Sequence, residues 1–524
     1  MSEPVAAPNP AARWAPPGSE PLLDPGLRAL LRQALAIDAE PGAVPEPVPP
    51  PSALPGDAHA ALEAVVGAAH LRTDDAARAA HANGMSYLDL VRRATGAPVA
   101  PDAVVLPAGH DEVAALLAAC AAHDVAVVPF GGGTSVVGGV RPLAGAHSAV
   151  IALDLSRLDA LLDLDEVSWT ATLQAGVTGP RAEELLGARG FTLGHVPQSF
   201  ERATIGGYAA TRSAGQLSTG WGRFDDLVQR LRAATPAGEL RLGRGPGTAA
   251  GPDLRQLLLG SEGAFGVITE VTLAVRPVPE VRRHEAWRVD DLATGLAVLR
   301  ELAQAGPRPD LARLSDETET AMGVATGGAP AAGCLLLVGW EAGAEDVARR
   351  SAAAHAILER VGARPEGEEA AHAWREGRFR APRLRDELLA AGVLAETLET
   401  ATSWRALPAL HAEVGAVLRD ALGPEGVIVA CHVSHLYATG ASLYFTVLAR
   451  RDPDDPVGQW ERAKAAATGA LARAGATITH HHAVGTDHAP WLGAEVGDLG
   501  VEVLRAVKAR LDPAGILNPG KLLG

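Results

Sequence analysis

Apolar positions along the chain fall into two rhythms. From Pro25 to Ile37 (LRALLRQALAI) leucines recur at three and four residues, which predicts an amphipathic helix. The proline-rich stretch Pro41–Pro55 predicts an extended, polyproline-like connector, because each proline fixes φ and removes a backbone donor. Residues 62–87 predict short helices and turns, and Tyr87–Thr95 predicts another helix. From Ala103 the pattern becomes strand, helix, strand: AVVLP, then HDEVAALLAACAAHD with apolar residues at three and four, then VAVVPF, which runs directly into GGGTSVVGG. AVIALDL and the alternating VSWTATLQAGV predict strands and PRAEELLGARG a helix. GVITEVTLAVRPVP predicts a long strand closing the region near Pro279.

A second region runs from Glu280 to Thr479. Amphipathic helices (DDLATGLAVLRELAQAG, AEDVARRSAAAHAILERVG) alternate there with apolar strands (CLLLVGW, GVIVACHVSHLY, ASLYFTVLA), which predicts a smaller α+β cap on an antiparallel sheet. Val496–Arg510 predicts a last helix. The expected class is α+β, without a regular βαβ series or internal repeat. Its parts are a helical and proline-rich segment (1–97), two α+β regions (98–279 and 280–479) and a carboxy-terminal segment (480–524).

Composition narrows the function. With 47% apolar residues over 524 positions, the chain can fill a sizeable core, so disordered and fibrous classes are excluded. A formal charge of -16 opposes phosphate backbones and anionic lipid, and the sequence has no compensating basic patch, so no nucleic-acid partner is expected. Cys120, Cys334 and Cys431 stand alone in apolar surroundings, which predicts buried thiols rather than a disulfide framework or a CxxC metal site. The longest uncharged run, Thr320–Trp340, is rich in glycine and contains Pro330, unlike a membrane span. The first residues lack a basic stretch followed by an apolar one, so a cytoplasmic location is expected.

PFGGGTSVVGG is the most informative segment. Consecutive glycines after a buried strand can turn several N–H groups toward one point, making a nest for an anion. Gly131 and Gly133 fit the first positions of a dinucleotide fingerprint, but Val136 occupies the third and no Walker lysine follows. Taken alone, the loop fits a tight turn or a phosphate cradle. THHHAVGTDH sets His480, His481 and His482 in a row. On an extended chain His480 and His482 face one side and His481 the other. With Asp487 and His488 nearby, a hydrogen-bonded polar cluster and a metal site are both open readings.

These segments occur with HVPQS (from His195), ATIGGYAATRSAG, GWGRFDDLV and GSEGAFGVITEVTLAVRPVP, in that order. Together they resemble the FAD-binding enzymes of the vanillyl-alcohol oxidase and p-cresol methylhydroxylase (PCMH) type, and within it the alkyldihydroxyacetone-phosphate synthase branch. The likeness runs from about Arg72 to Leu523. It implies a PCMH-type, two-subdomain FAD-binding domain at 98–279, a substrate cap at 280–479 and a carboxy-terminal segment returning to the flavin. It also implies an FAD pyrophosphate wrapped by Gly131, Gly132, Gly133, Thr134, Ser135, Val136 and Val137. Further FAD contacts are implied at Gln198, Ser199 and Thr204, at Thr211, Arg212, Ser213 and Ala214, and at Glu262, Gly263, Ala264, Phe265, Gly266, Val267 and Ile268. The loop carries no His or Cys to tether a flavin, so the FAD is expected to be non-covalent.

The same resemblance implies catalytic roles for Tyr444, which stands 36 residues before His480, and for His480, His481, His482 and Arg313, with Arg385 on a substrate phosphate. The histidines become active-site lining rather than metal ligands, and no metal is expected. They are also expected to lower the barrier to ionising the Tyr444 phenol. Two segments depart from the synthase pattern: TDHAPWL replaces a basic cluster, and LDPAGILNPGK is closer to FAD-linked 2-hydroxyacid dehydrogenases. The implied activity is therefore either synthase-like chemistry on an anionic, lipid-like substrate or oxidation of a hydroxy acid or alcohol. The resemblance also implies a homodimer.

Overall fold

The computed structural model of the protein describes residues 14, 22–38, 48–94, 99–325, 332–423 and 426–524. Residues 39–47 of the proline-rich connector lie outside this set, and residues 48–55 have no regular structure. The first helix is Pro25–Leu35, begun by Asp24, whose carboxylate accepts from the Leu27 amide. The next starts earlier than the apolar pattern indicates, at Gly56 rather than Leu62, and ends at Val66.

Two sheets form the amino-proximal half. The first has four strands in the order Leu71–Arg72, Ala103–Val105, Ala149–Asp154, Val125–Phe130, the last three parallel. Their unbroken runs of Val, Ile and Ala suit strands covered on both faces. Leu116, Leu117 and Cys120 of the helix His110–Ala122 pack on them. The second sheet is antiparallel, in the order Leu161–Asp165, Thr170–Gln174, Val267–Ala274, Val228–Thr235, Gly238–Leu242. The expected long strand to Pro279 breaks at Val275, and Arg276–Pro277 joins Phe191–Thr192 in a separate ribbon. Pro277 and Pro279 have no N–H with which to continue the ladder.

The other half is built on a seven-stranded antiparallel sheet. Its order is Arg364–Gly367, Val281–Val289, Cys334–Ala342, Leu311–Ser315, Val427–Ser434, Gly440–Arg450, Val393–Ser403. Leu443, Phe445 and Val447 point into its main apolar core with Trp340, Trp460 and Leu299. Alternation along the strand then puts Tyr444 on the opposite face, with His432 and Glu399 as its register partners on either side. Tyr87, Leu88 and Val91 of the helix Tyr87–Ala94 join this same core, so the early segment is tied to the later half.

The carboxy terminus folds back. Ile516 and Asn518 bond Val127 on both sides, through Val127 N to Ile516 O at 2.8 Å and Asn518 N to Val127 O at 2.8 Å, alongside the strand that feeds the glycine loop. All three cysteines are buried, as expected. Among the described residues no helix is long and apolar enough to cross a membrane.

Candidate active site

The strand Val125–Phe130 ends at the glycine loop, which does not continue into a helix. Among the described residues, the amides of Gly131, Gly132, Gly133, Thr134 and Ser135 have no acceptor in the protein. Five successive donors left open on a half-buried turn make an anion nest. A Cβ on Gly132 would collide with the Arg202 carbonyl, and Gly133 takes φ +65 against the Phe130 ring. Both positions need glycine because the backbone passes too close for a side chain. The residues present therefore fit a diphosphate.

The other FAD-motif residues divide by what they touch. Thr204 caps the helix Ile205–Thr211, its hydroxyl accepting from Gly207 N at 3.2 Å. Thr211 Oγ1 donates to the Gly207 carbonyl. Arg212 takes φ +51 and donates through Nε to Leu259 O at 2.9 Å, fastening the Gly260 turn. Ser213 Oγ lies 3.0 Å from Nε2 of the buried His195. Gln198 is exposed and donates to the Arg378 carbonyl on the cap. Val137, Ala214, Ala264, Phe265, Val267 and Ile268 are buried in the packed interior. Ser199 and Val136 flank these segments, and Gly263 and Gly266 take positive φ between them.

Glu262 joins the FAD-motif turn to the histidine segment. At φ +53 its carboxylate accepts from Val484 N at 3.0 Å and Gly485 N at 2.9 Å. Burial pushes this carboxyl up to about 7 against those two amide bonds.

The three histidines do not alternate as they would on an extended chain. Glu399, fully buried on the strand Val393–Ser403, accepts from the backbone amides of His480 (2.6 Å), His481 (3.1 Å) and His482 (2.9 Å), and from Thr479 Oγ1 at 2.6 Å. One carboxylate thus curls the segment around itself, and the rings become mutual neighbours. His481 and His482 are 4.8 Å apart, and both reach the Tyr444 ring, at 6.0 and 5.5 Å. Burial acts to raise the Glu399 carboxyl, yet the Thr479 hydroxyl and the three backbone amides that donate to it hold it well below its usual range. Burial lowers the imidazoles, with His480 and His482 brought to about 3. They are neutral near pH 7.

Tyr444 also stacks on His432 at 4.8 Å. His432 Nδ1 lies 3.0 Å from Glu319 Oε1, and Arg313 Nη1 lies 3.1 Å from His432 Nε2 while its Nη2 donates to Glu319 at 2.8 Å. Arginine can only donate, so Nε2 accepts and the His432 proton sits on Nδ1. Burial opposes ionisation of Glu319, but Arg313 and His432 outweigh it and bring its carboxyl down to about 2. The expected lowering of the Tyr444 phenol does not hold. Burial raises it to about 12, because the surrounding imidazoles are neutral and supply no positive charge.

Arg385, on the helix Ala381–Ala390, lies 3.7 Å from buried Glu396. Burial is the main influence on Glu396 and raises it to about 7. Arg313, Tyr444 and the three histidines are brought together, and Arg385 stands beside that group through Glu396. Sequence reasoning missed Glu399, Glu319, His432, His435 and Tyr437. A carboxylate or imidazole on a strand gives no pattern of its own, although the HVSHLY segment held three of the site's polar rings in plain view. His435, His480 and His481 bring ring nitrogens within 4.8 Å of one another. His480 Nδ1 is taken up by His481 Nδ1 at 3.0 Å, whereas the buried His435 Nδ1 has no hydrogen-bond partner.

A cavity of about 560 Å³ opens between the Arg223–Asp226 turn and the cap, lined by Ser403, Tyr437, Thr479 and His480 among others.

Residues 101–243 match the family described as FAD binding domain, and residues 278–522 that described as FAD linked oxidases, C-terminal domain. An alkyldihydroxyacetonephosphate synthase of Trypanosoma brucei brucei is 32% identical over 496 residues, covering 88% of this chain and 80% of that protein. A solved alkyldihydroxyacetonephosphate synthase structure superposes with a TM-score of 0.84 at 26% identity, covering 99% of this chain and 100% of the other. The glycolate oxidase subunit GlcD of Bacillus subtilis (strain 168) is 28% identical, covering 80% of this chain and 89% of its own.

Proposed function

The chain belongs to the family of FAD-linked oxidases that includes the alkyldihydroxyacetonephosphate synthases, and from that premise we propose that it performs synthase-like chemistry on an anionic, lipid-linked substrate. In this reading an acylated dihydroxyacetone phosphate loses its carboxylate and a fatty alcohol takes its place, a step of ether-lipid synthesis with no net redox change. The observation that carries it is the assembly of Tyr444, Arg313 and the three histidines, in a chain that also presents a nest of open amides at the glycine loop.

Residues of the glycine loop would hold the FAD diphosphate, with Thr204 and the 211–214 and 262–268 turns shaping the remaining contacts. When bound, FAD supplies an N5 atom able to accept a carbon electron pair or a hydride. The chain supplies position, charge and protons. With its phenol at about 12, Tyr444 acts near pH 7 as a proton donor and becomes a base only after giving its proton up. His481 and His482, neutral and in contact with the Tyr444 ring, are the acceptors. Arg313 is anchored by Glu319 and presents a fixed guanidinium edge, and Arg385, 3.7 Å from Glu396, would bind the substrate phosphate in this reading. The polypeptide keeps FAD non-covalently, works in the cytoplasm and pairs as a homodimer in this reading.

A second reading is the oxidation of a hydroxy acid or alcohol, favoured by the likeness to the glycolate oxidase subunit and by neutral imidazoles suited to take a hydroxyl proton. Anaerobic mixing separates the two. Alkyl exchange without loss of the flavin's visible band supports the synthase, and bleaching by a hydroxy acid supports oxidation. In either case Tyr444→Phe is expected to lose turnover by about a hundredfold while FAD stays bound. Full activity in that variant would remove Tyr444 from the chemistry.

A further inference from the structure

His480 is 7% exposed, and both of its ring nitrogens are engaged. Nδ1 lies 3.0 Å from His481 Nδ1, and Nε2 lies 2.6 Å from the hydroxyl of Tyr437. Tyr437 is half-buried and lines the cavity between the two halves of the molecule. His481 at the other end packs on Tyr444. An unbroken series of hydrogen bonds therefore leads from the Tyr444 pocket to the cavity. We propose that His481, His480 and Tyr437 form a proton relay, with Tyr437 as its outer gate.

The inference rests on the reading above, and both of its branches need such a path. In the exchange, the alcohol O–H and the C–O bond to the acyloxy group break and a new ether C–O bond forms. A carboxylate and one proton are released. In the oxidation, the C–H pair leaves as hydride to bound FAD, the oxidant, and the hydroxyl proton remains. Either way one proton per turnover must leave a pocket whose imidazoles are buried and neutral.

The relay can carry that proton because every member both donates and accepts. Before the transfer His481 Nδ1–H donates to His480 Nδ1, His480 Nε2–H donates to the Tyr437 oxygen, and the Tyr437 O–H faces cavity water. When His481 takes a proton on Nε2 it passes its Nδ1 proton to His480 Nδ1, the His480 Nε2 proton passes to the Tyr437 oxygen, and the phenol releases its own proton to cavity water. Each transfer breaks one N–H or O–H bond and forms another, leaving the opposite polarity, which ring and hydroxyl rotation resets.

Charged groups surround both ends of the relay. Arg223, Asp225 and Asp226 face Tyr437 at the cavity. Arg223 donates to the His480 carbonyl at 3.1 Å and is held by Asp225 at 2.9 Å, which fixes the relay's backbone. His435, His481, Glu399 and Arg223 face the His480 ring from the other sides. Tyr437 lies on the turn after the strand Val427–Ser434 and is not among the groups that meet the Tyr444 ring, so its role is to pass protons rather than to touch substrate.

The test is steady-state kinetics of Tyr437→Phe and Tyr437→His, each loaded with FAD. In Tyr437→Phe, kcat should fall about tenfold with KM unchanged, and rising concentrations of a small buffer such as imidazole should restore it. Tyr437→His, whose ring can pass a proton, should keep more activity than the Phe variant in dilute buffer. A Phe variant with full kcat, or a loss equal in both variants and indifferent to buffer, overturns the relay. Should the Phe variant fail to fold, the His variant carries the test through its dependence on buffer. An inactive or colourless wild type would instead count against the reading of function itself.

Discussion

At the residue scale, the site depends on buried carboxylates that hold other groups in place. Glu399 is the clearest, since one buried group collects three consecutive amides and a hydroxyl. Glu399→Gln puts an NH₂ where only donors point, leaving at least one amide unpaired at a cost of about 2–3 kcal/mol. Turnover should fall at least as far as in Tyr444→Phe while the flavin spectrum persists; a fully active Gln variant would show that the histidines need no such anchor. Glu319 gives a pH prediction. Its folded value of about 2 lies below the ordinary 4.5, so its contribution to stability is complete above about 4.5 and is lost as pH falls toward 2. Glu319→Gln should flatten the acid limb of the unfolding curve, as read by circular dichroism. The triple histidine and Tyr444 were legible from their motifs, but the direction of the Tyr444 shift was not. Proximity of imidazoles suggested positive charge, and only their burial shows that they carry none.

At the element scale, the strand Val125–Phe130 and its glycine turn were legible, because an unbroken apolar run ending in glycines has few other solutions. What the turn packs against was not, since the Arg202 carbonyl comes from a segment seventy residues away. Gly132→Ala forces that carbonyl or the loop to move, at roughly 1–3 kcal/mol of strain, and should weaken FAD binding by about ten- to a hundredfold. Isothermal titration of the apo-protein with FAD reads this directly, and unchanged affinity would place the diphosphate elsewhere. The strand expected to run unbroken to Pro279 was misjudged for a related reason. Composition shows apolar continuity but not the exchange of sheet at Val275.

At the scale of the whole molecule, the α+β class with an antiparallel sheet after Glu280 was legible from the rhythm of helices and strands. The attachment of the early segments was not. The helix Pro25–Leu35 buries Leu27, Leu31 and Leu35 against Leu388, Val393 and Leu448 of the cap, and the amides of Leu22 and Leu23 both bond Glu387 at 2.8 Å. It therefore covers the helix that carries Arg385. Leu31→Ala removes a core side chain and should cost about 2–4 kcal/mol, lowering the cap's melting temperature and raising KM for an anionic substrate. An unchanged KM would separate the strap from substrate binding.

Every role assigned above supposes a flavin seated between the glycine loop and the polar face of the cap sheet. The most direct test is the visible absorption of the purified protein after incubation with excess FAD and removal of the unbound excess, followed by acid precipitation. The account predicts a yellow protein with one FAD per chain, whose colour passes into the supernatant on denaturation. Protein that remains colourless contradicts it at the root.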